Sequence, residues 1–145
     1  MTYPRRLRAL PDKAERLAKA NEFIRVIATT GRKFFSHQDR VSVLCLDGQG
    51  RINLIDCYTK RLVYTHYNGE WRGFSQGGTM RSLIIRLREY IQGVIPTGAE
   101  LFDKLPIHYG DQIFCSNYGW GYPEDDMNTV IEAARRIFTT HTEST

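Results

Sequence analysis

The sequence predicts an α+β domain: a three-stranded antiparallel meander, with room for a short fourth strand, covered by three helices in the order α-β-β-β-α-(β)-α. Two apolar stripes at helical spacing, Leu17-Ala20-Ile24-Ile27 and Met80-Leu83-Ile84-Leu87-Ile91, bracket the first two-thirds of the chain. Between them lie three strand-like runs separated by turn residues. A third stripe, Met127-Val130-Ile131-Ala134-Phe138, closes the pattern.

Residues 1–12 read as a basic arm carrying Arg5, Arg6 and Arg8, and residues 13–138 as a single domain, with 139–145 a frayed tail. Pro11-Asp12 can open the first helix, and Thr29-Thr30-Gly31 ends it, because β-branched residues and glycine disfavour continuation. Val41–Leu46 is the first strand-like run. It is apolar at each of positions 43–46, as expected of a central strand covered on both faces. Asp47-Gly48-Gln49-Gly50 is a hairpin signal, since glycine accepts the positive φ such turns require. Arg51–Cys57 returns, Tyr58-Thr59-Lys60 can reverse the chain again, and Leu62–Tyr67 is the third run. Short turns join antiparallel neighbours, hence a meander.

The second helix is expected over residues 79–92, with Thr79 as its N-cap and Gly93 and Pro96 ending it. Residues 94–111 read as an irregular connection, 112–116 as the short fourth strand, and 117–123 as a turn rich in glycine and aromatics. Pro123 suits the first position of the third helix. Glu124, Asp125 and Asp126 complement its N-terminal dipole, and Arg135 and Arg136 its C-terminal one.

Charge is unevenly spread. The chain carries +4 overall, while residues 1–40 hold ten Lys/Arg against four Asp/Glu. Such a basic region attracts acidic partners, nucleic acid above all, and equally describes a solvated helix face. Three cysteines, Cys45, Cys57 and Cys115, lack C-x-x-C spacing and read as free thiols. No run approaches the roughly 20 apolar residues of a membrane span, so a cytoplasmic protein without a membrane partner is expected.

The residues that can carry chemistry concentrate in 71–81. Gly77 and Gly78 have no side chain to obstruct an anion at the start of a helix, where backbone N–H groups and the macrodipole point outward. Thr79 adds a hydroxyl, and Arg72 and Arg81 add forked donors suited to phosphate. Trp71 and Phe74 offer flat faces for a base, as do Tyr118, Trp120 and Tyr122 in the second unusual stretch. The plain alternative is a tight helix entry with these rings in the core. Arg5, Arg6, Arg32 and Lys33 would give diffuse attraction to a nucleic-acid backbone.

Gly-Gly-Thr is not a P-loop, because the G-x-x-x-x-G-K-[ST] pattern is absent. His37, His66, His108 and His141 show no metal-ligand spacing. Asp56 with His66, and Asp47 with Arg51, can meet across hairpins, as such pairs do on ordinary sheets. No catalytic group, metal or cofactor is therefore assigned. The expectation is a non-enzymatic module for phosphate-bearing ligands, nucleic acid or a nucleotide. One alternative is a protein that acts by protein–protein contact, with Tyr118, Trp120 and Tyr122 as its hot-spot candidate. Another is a small metal-independent nuclease or transferase using His66 with Asp56 or His37.

Gly31-Arg32-Lys33-Phe34-Phe35-Ser36-His37, Tyr58-Thr59-Lys60-Arg61, Tyr64-Thr65-His66 and residues 73–79 together resemble uncharacterised small proteins of bacterial phages and plasmids, over about residues 20–135. The resemblance implies a mobile-element setting, where small proteins often bind nucleic acid or obstruct host defence. It brings no activity with it. The element order over 13–92 is also similar to that of double-stranded-RNA-binding domains, but Met80-Arg81 stands where that family has a Lys-Lys cluster. Element order alone is an analogy.

Overall fold

The computed structural model describes residues 3–93 and 123–138, of which 3–12 and 124 by backbone alone. Helix α1 spans Tyr3–Ala28. It is followed by β1 (Ser36–His37), β2 (Arg40–Val41), β3 (Val43–Leu46), β4 (Ile52–Ile55) and β5 (Leu62–Tyr64), then by α2 (Gly78–Gln92) and α3 (Glu124–Phe138). The α+β meander with three helices is as the sequence predicts. The stretch 112–116, offered as a fourth strand, lies outside the described residues, as does the 94–111 connection.

Strands β3, β4 and β5 form one antiparallel sheet in that order. Val43 faces Ile55 and Leu44 faces Leu54, while Leu54 faces Val63 and Ile55 faces Leu62. The alternation of side chains then separates two faces. Leu44, Ile52, Leu54 and Val63 turn inward and are at most 2% exposed. They join Phe23, Ile24 and Ile27 of α1, Leu83, Ile84 and Leu87 of α2, and Met127, Val130 and Phe138 of α3 in one core. Phe138 meets Phe23 and Tyr90 edge to face, at 5.3 and 4.9 Å between ring centroids, which knits the three helices together.

Four details depart from the sequence reading. Helix α1 begins at Tyr3 and so runs through Pro11, where the reading placed its start. An interior proline forfeits one backbone hydrogen bond without preventing helix on either side. The first strand-like run is broken at Ser42, whose N–H donates to Phe35 O (2.9 Å), and its first residues pair instead with Ser36 and His37 in a small hairpin. Among the described residues its second half, β3, is an edge strand and not a central one. In place of a neighbouring strand, the Asn21 side chain of α1 accepts from Leu44 N (2.8 Å) and donates to Leu44 O (3.0 Å), satisfying both edge groups. Finally, α2 is capped by Gly77 and begins at Gly78, placing Thr79 inside the first turn.

The remaining turns obey local chemistry. Asp47 N donates to Arg51 O and Gly50 N to Asp47 O, with Gly50 at φ 79°, the positive value anticipated for this hairpin. At the far end of α2, Gly93 adopts φ 86° and its N–H returns to Glu89 O and Tyr90 O, a left-handed C-cap. Long side chains tie the layers: Lys13 Nζ donates to Gly50 O (3.0 Å), Arg16 to Tyr90 O (2.9 Å), and Arg88 to Thr65 O.

Candidate polar cleft at the helix entry

One end of the sheet is built by three segments: the β1–β2 hairpin, the β4–β5 turn (residues 56–61), and the entry to α2 (residues 71–78). Asp56 joins the last two. Its Oδ2 accepts from Tyr58 N and Thr59 N (both 2.9 Å), and its Oδ1 from Ser75 N (2.8 Å) and Ser75 Oγ (3.0 Å). Burial pushes this carboxyl's pKa up, but the N–H groups of Thr59, Ser75 and Tyr58 and the Ser75 hydroxyl outweigh it, and the pKa is lowered overall. Thr59 Oγ1 donates to Gly73 O (2.6 Å), and Gln76 Oε1 accepts from Phe35 N (3.3 Å), which draws in the first hairpin. Gly73 is required here. Its φ is 90°, and a Cβ would stand 2.9 Å from Arg61 Cβ.

Between these segments lies a cleft of about 510 Å³ lined by Ser36, His37, Cys57, Tyr58, Thr59, Ser75 and Gln76. His37 meets Tyr58 edge to face at 4.5 Å. Cys57 is buried and free, and Cys45 is free and half-buried, its thiol pushed up first by burial and then by Asp47. Ser36, Tyr58, His37 and Gln76 give the cleft polar groups, while the Thr59 and Ser75 hydroxyls already donate to Gly73 O and Asp56 Oδ1. Arg32, Lys33, Arg40, Lys60, Arg61 and Arg72 are exposed on the segments that build it.

The entry of α2 adjoins the cleft through Gln76. Gly77 is extended (φ −84°, ψ −174°), and no side chain caps it. The first backbone bond of the helix runs from Arg81 N to Gly77 O (2.9 Å), so the N–H groups of Gly78, Thr79 and Met80 precede the intrahelical ladder. Gly77 and Gly78 are exposed, and a Cβ on either would meet nothing within 4 Å.

The other residues singled out from sequence fall into separate places. Arg72 is exposed beside this entry. Arg81 is committed elsewhere: its Nη2 donates to Gly69 O (2.7 Å), and its guanidinium lies 4.5 Å from the centroid of the Trp71 ring. Trp71 is 5% exposed and its Nε1 donates to Tyr67 O (2.8 Å), so its ring belongs to the core and not to a stacking surface. Phe74 packs edge-on to Trp71 at 5.3 Å. Arg32 lies over Phe34 at 5.6 Å. Arg5 and Arg6 lie on the backbone of α1, and Tyr118, Trp120 and Tyr122 lie outside the described residues.

Asp47 and Arg51 do meet, in an ion pair of 2.8 Å. The Arg51 backbone N–H, helped by Gln49 N–H and the Arg51 guanidinium, holds the Asp47 pKa down to about 2 against an opposing push from burial. Asp56 and His66 sit at opposite ends of β4, since His66 Nε2 accepts from Ile52 N (3.2 Å). Burial, then the charges of Arg88, Lys13 and Arg51, lower the His66 pKa, with Asp47 opposing. Among the described residues, no three His, Cys, Asp or Glu side chains gather to hold a metal, and no helix is long and apolar enough to cross a membrane.

Sequence reasoning missed the cleft itself and the part played by Ser36, His37, Ser75 and Gln76. Gln76 acts across 41 positions of sequence and Asp56 across 19, distances at which no local pattern exists. The only available signal was that positions 31–37, 58–61 and 73–79 share unusual polar phrasing.

Fold and site together define a small α+β domain with a hydroxyl-lined cleft beside an uncapped helix entry. The chain belongs to the YoqU family, whose profile matches residues 11–144. No curated protein and no solved structure matches it.

Proposed function

We propose that the protein is a non-enzymatic binding module for phosphate-bearing ligands, nucleic acid or a nucleotide, and that it serves a mobile genetic element. The observation that carries the reading is the open entry of α2. Gly77 and Gly78 are exposed and leave free space where a Cβ would stand, and no side chain caps the helix. A helix end of this kind presents backbone N–H donors and the positive pole of the dipole to an incoming oxyanion. The neighbouring cleft supports it with the Ser36 hydroxyl and the His37 imidazole. Exposed Arg40, Lys60, Arg61 and Arg72 supply the longer-ranged attraction. The committed position of Arg81 moves the weight of anion contact from Arg81 to Arg72 and the backbone. The mobile-element setting rests on the resemblance of residues 31–37, 58–66 and 73–79.

The test is a salt titration of a labelled oligonucleotide. Phosphate contacts release counterions, so affinity should fall steeply as salt rises from about 50 to 200 mM. Absence of binding to every oligonucleotide and nucleotide tried at about 50 mM salt would rule the reading out.

A further inference from the structure

On the outward face of the sheet, where Asn53 is buried at 5% exposure between Cys45 and Tyr64, a row of large apolar side chains is exposed. Val43, Ile55 and Leu62 are direct cross-strand partners and form one row across all three strands, at 42%, 42% and 61% exposure. Tyr64, two residues beyond Leu62 and hence on the same face, is 42% exposed. Arg51 lies 5.7 Å from the Tyr64 ring centroid and His66 lies at 5.2 Å, tilted by 37°. Tyr58, in the turn joining the strands of Ile55 and Leu62, is 60% exposed and also lines the cleft.

We propose that this face is a platform for single-stranded nucleic acid, on which bases stack over Tyr64 and the Ile55–Leu62 row while the phosphates lie toward Lys60, Arg61 and the entry of α2. The proposal deepens the phosphate-binding reading and rests on it. Two features favour this occupant over a protein. The exposed rings come with cations: Arg51 beside Tyr64, and Lys60 and Arg61 in the turn at the other end of the row. Through Tyr58 the face continues into the cleft and its basic rim, so one strand can use both. Unpaired bases expose their flat faces, whereas a duplex keeps them stacked on one another, so the face selects single strands.

Fluorescence anisotropy with labelled dT12 and a 12-base-pair duplex tests it, on wild type and on Tyr64→Ala and Tyr64→Phe. Wild type should bind dT12 more tightly than the duplex. Tyr64→Ala should weaken dT12 by about fivefold or more, the loss of one stacked base. Tyr64→Phe, which keeps the ring and guards against a folding artefact, should bind as wild type does. Equal affinity of wild type and Tyr64→Ala for dT12, or duplex binding as tight as dT12 binding, would overturn the proposal. A parallel titration with inorganic phosphate, read at the Gly78, Thr79 and Met80 amides by NMR, separates the two claims. Phosphate binding together with indifference of dT12 to Tyr64 defeats the platform alone, whereas failure of phosphate and dT12 alike defeats both. A nuclease-resistant, stoichiometric protein partner that Leu62→Ser abolishes, with no dT12 binding, would assign the face to protein contact and overturn the proposal.

Discussion

Large apolar side chains on the two faces of the β3–β4–β5 sheet meet opposite fates. Leu44, Ile52, Leu54 and Val63 are sealed under the helices, while Val43, Ile55, Leu62 and Tyr64 are 42–61% exposed. An inward apolar side chain contributes by leaving water, about 25 cal/mol for each Å² buried. The outward row gains little of this, and soluble proteins usually place polar residues there. The difference separates residues that hold the fold from residues available for recognition. Hydrophobicity alone does not tell them apart.

Substitutions sharpen the contrast, and the largest effect belongs to the inner face. Leu54→Ala should destabilise the protein by about 2–5 kcal/mol in urea unfolding, because a fully buried side chain leaves a cavity. A cost similar to that of an exposed residue would break the distinction between the faces. Next comes the edge that joins β3 to α1. Asn21→Ala removes both partners of Leu44's backbone groups and should cost about 1–3 kcal/mol. A smaller effect, accompanied by dimerisation in gel filtration, would mean that another strand can take Asn21's place.

The corner where the faces meet should respond to pH. His66 accepts the Ile52 N–H, a role only the neutral ring can fill, and its folded pKa lies below the usual 6.5. Its contribution is therefore complete above pH 6.5 and is lost as pH falls through the lower folded value. Stability measured from about pH 7.5 down to 5 should decline, and His66→Gln should flatten that slope. Identical slopes in the two proteins would remove His66 from the account. Asp47 acts further down: its stabilising effect is present above its ordinary pKa of 3.8 and disappears as pH falls toward about 2. The smallest effect is expected on the outer face, where Leu62→Ser should change stability by no more than about 0.5 kcal/mol.

Much of the inner architecture was legible in the sequence. Every residue of the Met80-Leu83-Ile84-Leu87-Ile91 stripe is buried, and Met127, Val130, Ala134 and Phe138 are buried on α3. The Asp47–Gly50 hairpin followed equally from turn chemistry. These features are local, with periods of a few residues, and burial follows period. The site was less legible because its bonds join distant segments. That Asp56 closes the cleft, that Asn21 substitutes for a strand, and that Arg81 turns back to Gly69 all depend on tertiary placement. The β1–β2 hairpin was missed for a different reason. Its backbone takes positive φ at Phe35 and Gln38, residue types that give no such signal in sequence. Trp71 shows the limit of composition: an aromatic beside a glycine-rich entry reads as a stacking face, and packing put it inside.

The two ends of α2 repeat the lesson at smaller scale. Gly93 closes its end with two returning bonds, whereas Gly77 leaves the other without a side-chain cap. The account stands on that open end taking an oxyanion. Its most direct test is an amide NMR titration with inorganic phosphate, matched in ionic strength by sodium chloride. The expected result is saturable shifts at Gly78, Thr79 and Met80 with phosphate and none with chloride. Shifts of equal size with both salts, or none at these three amides, would contradict it.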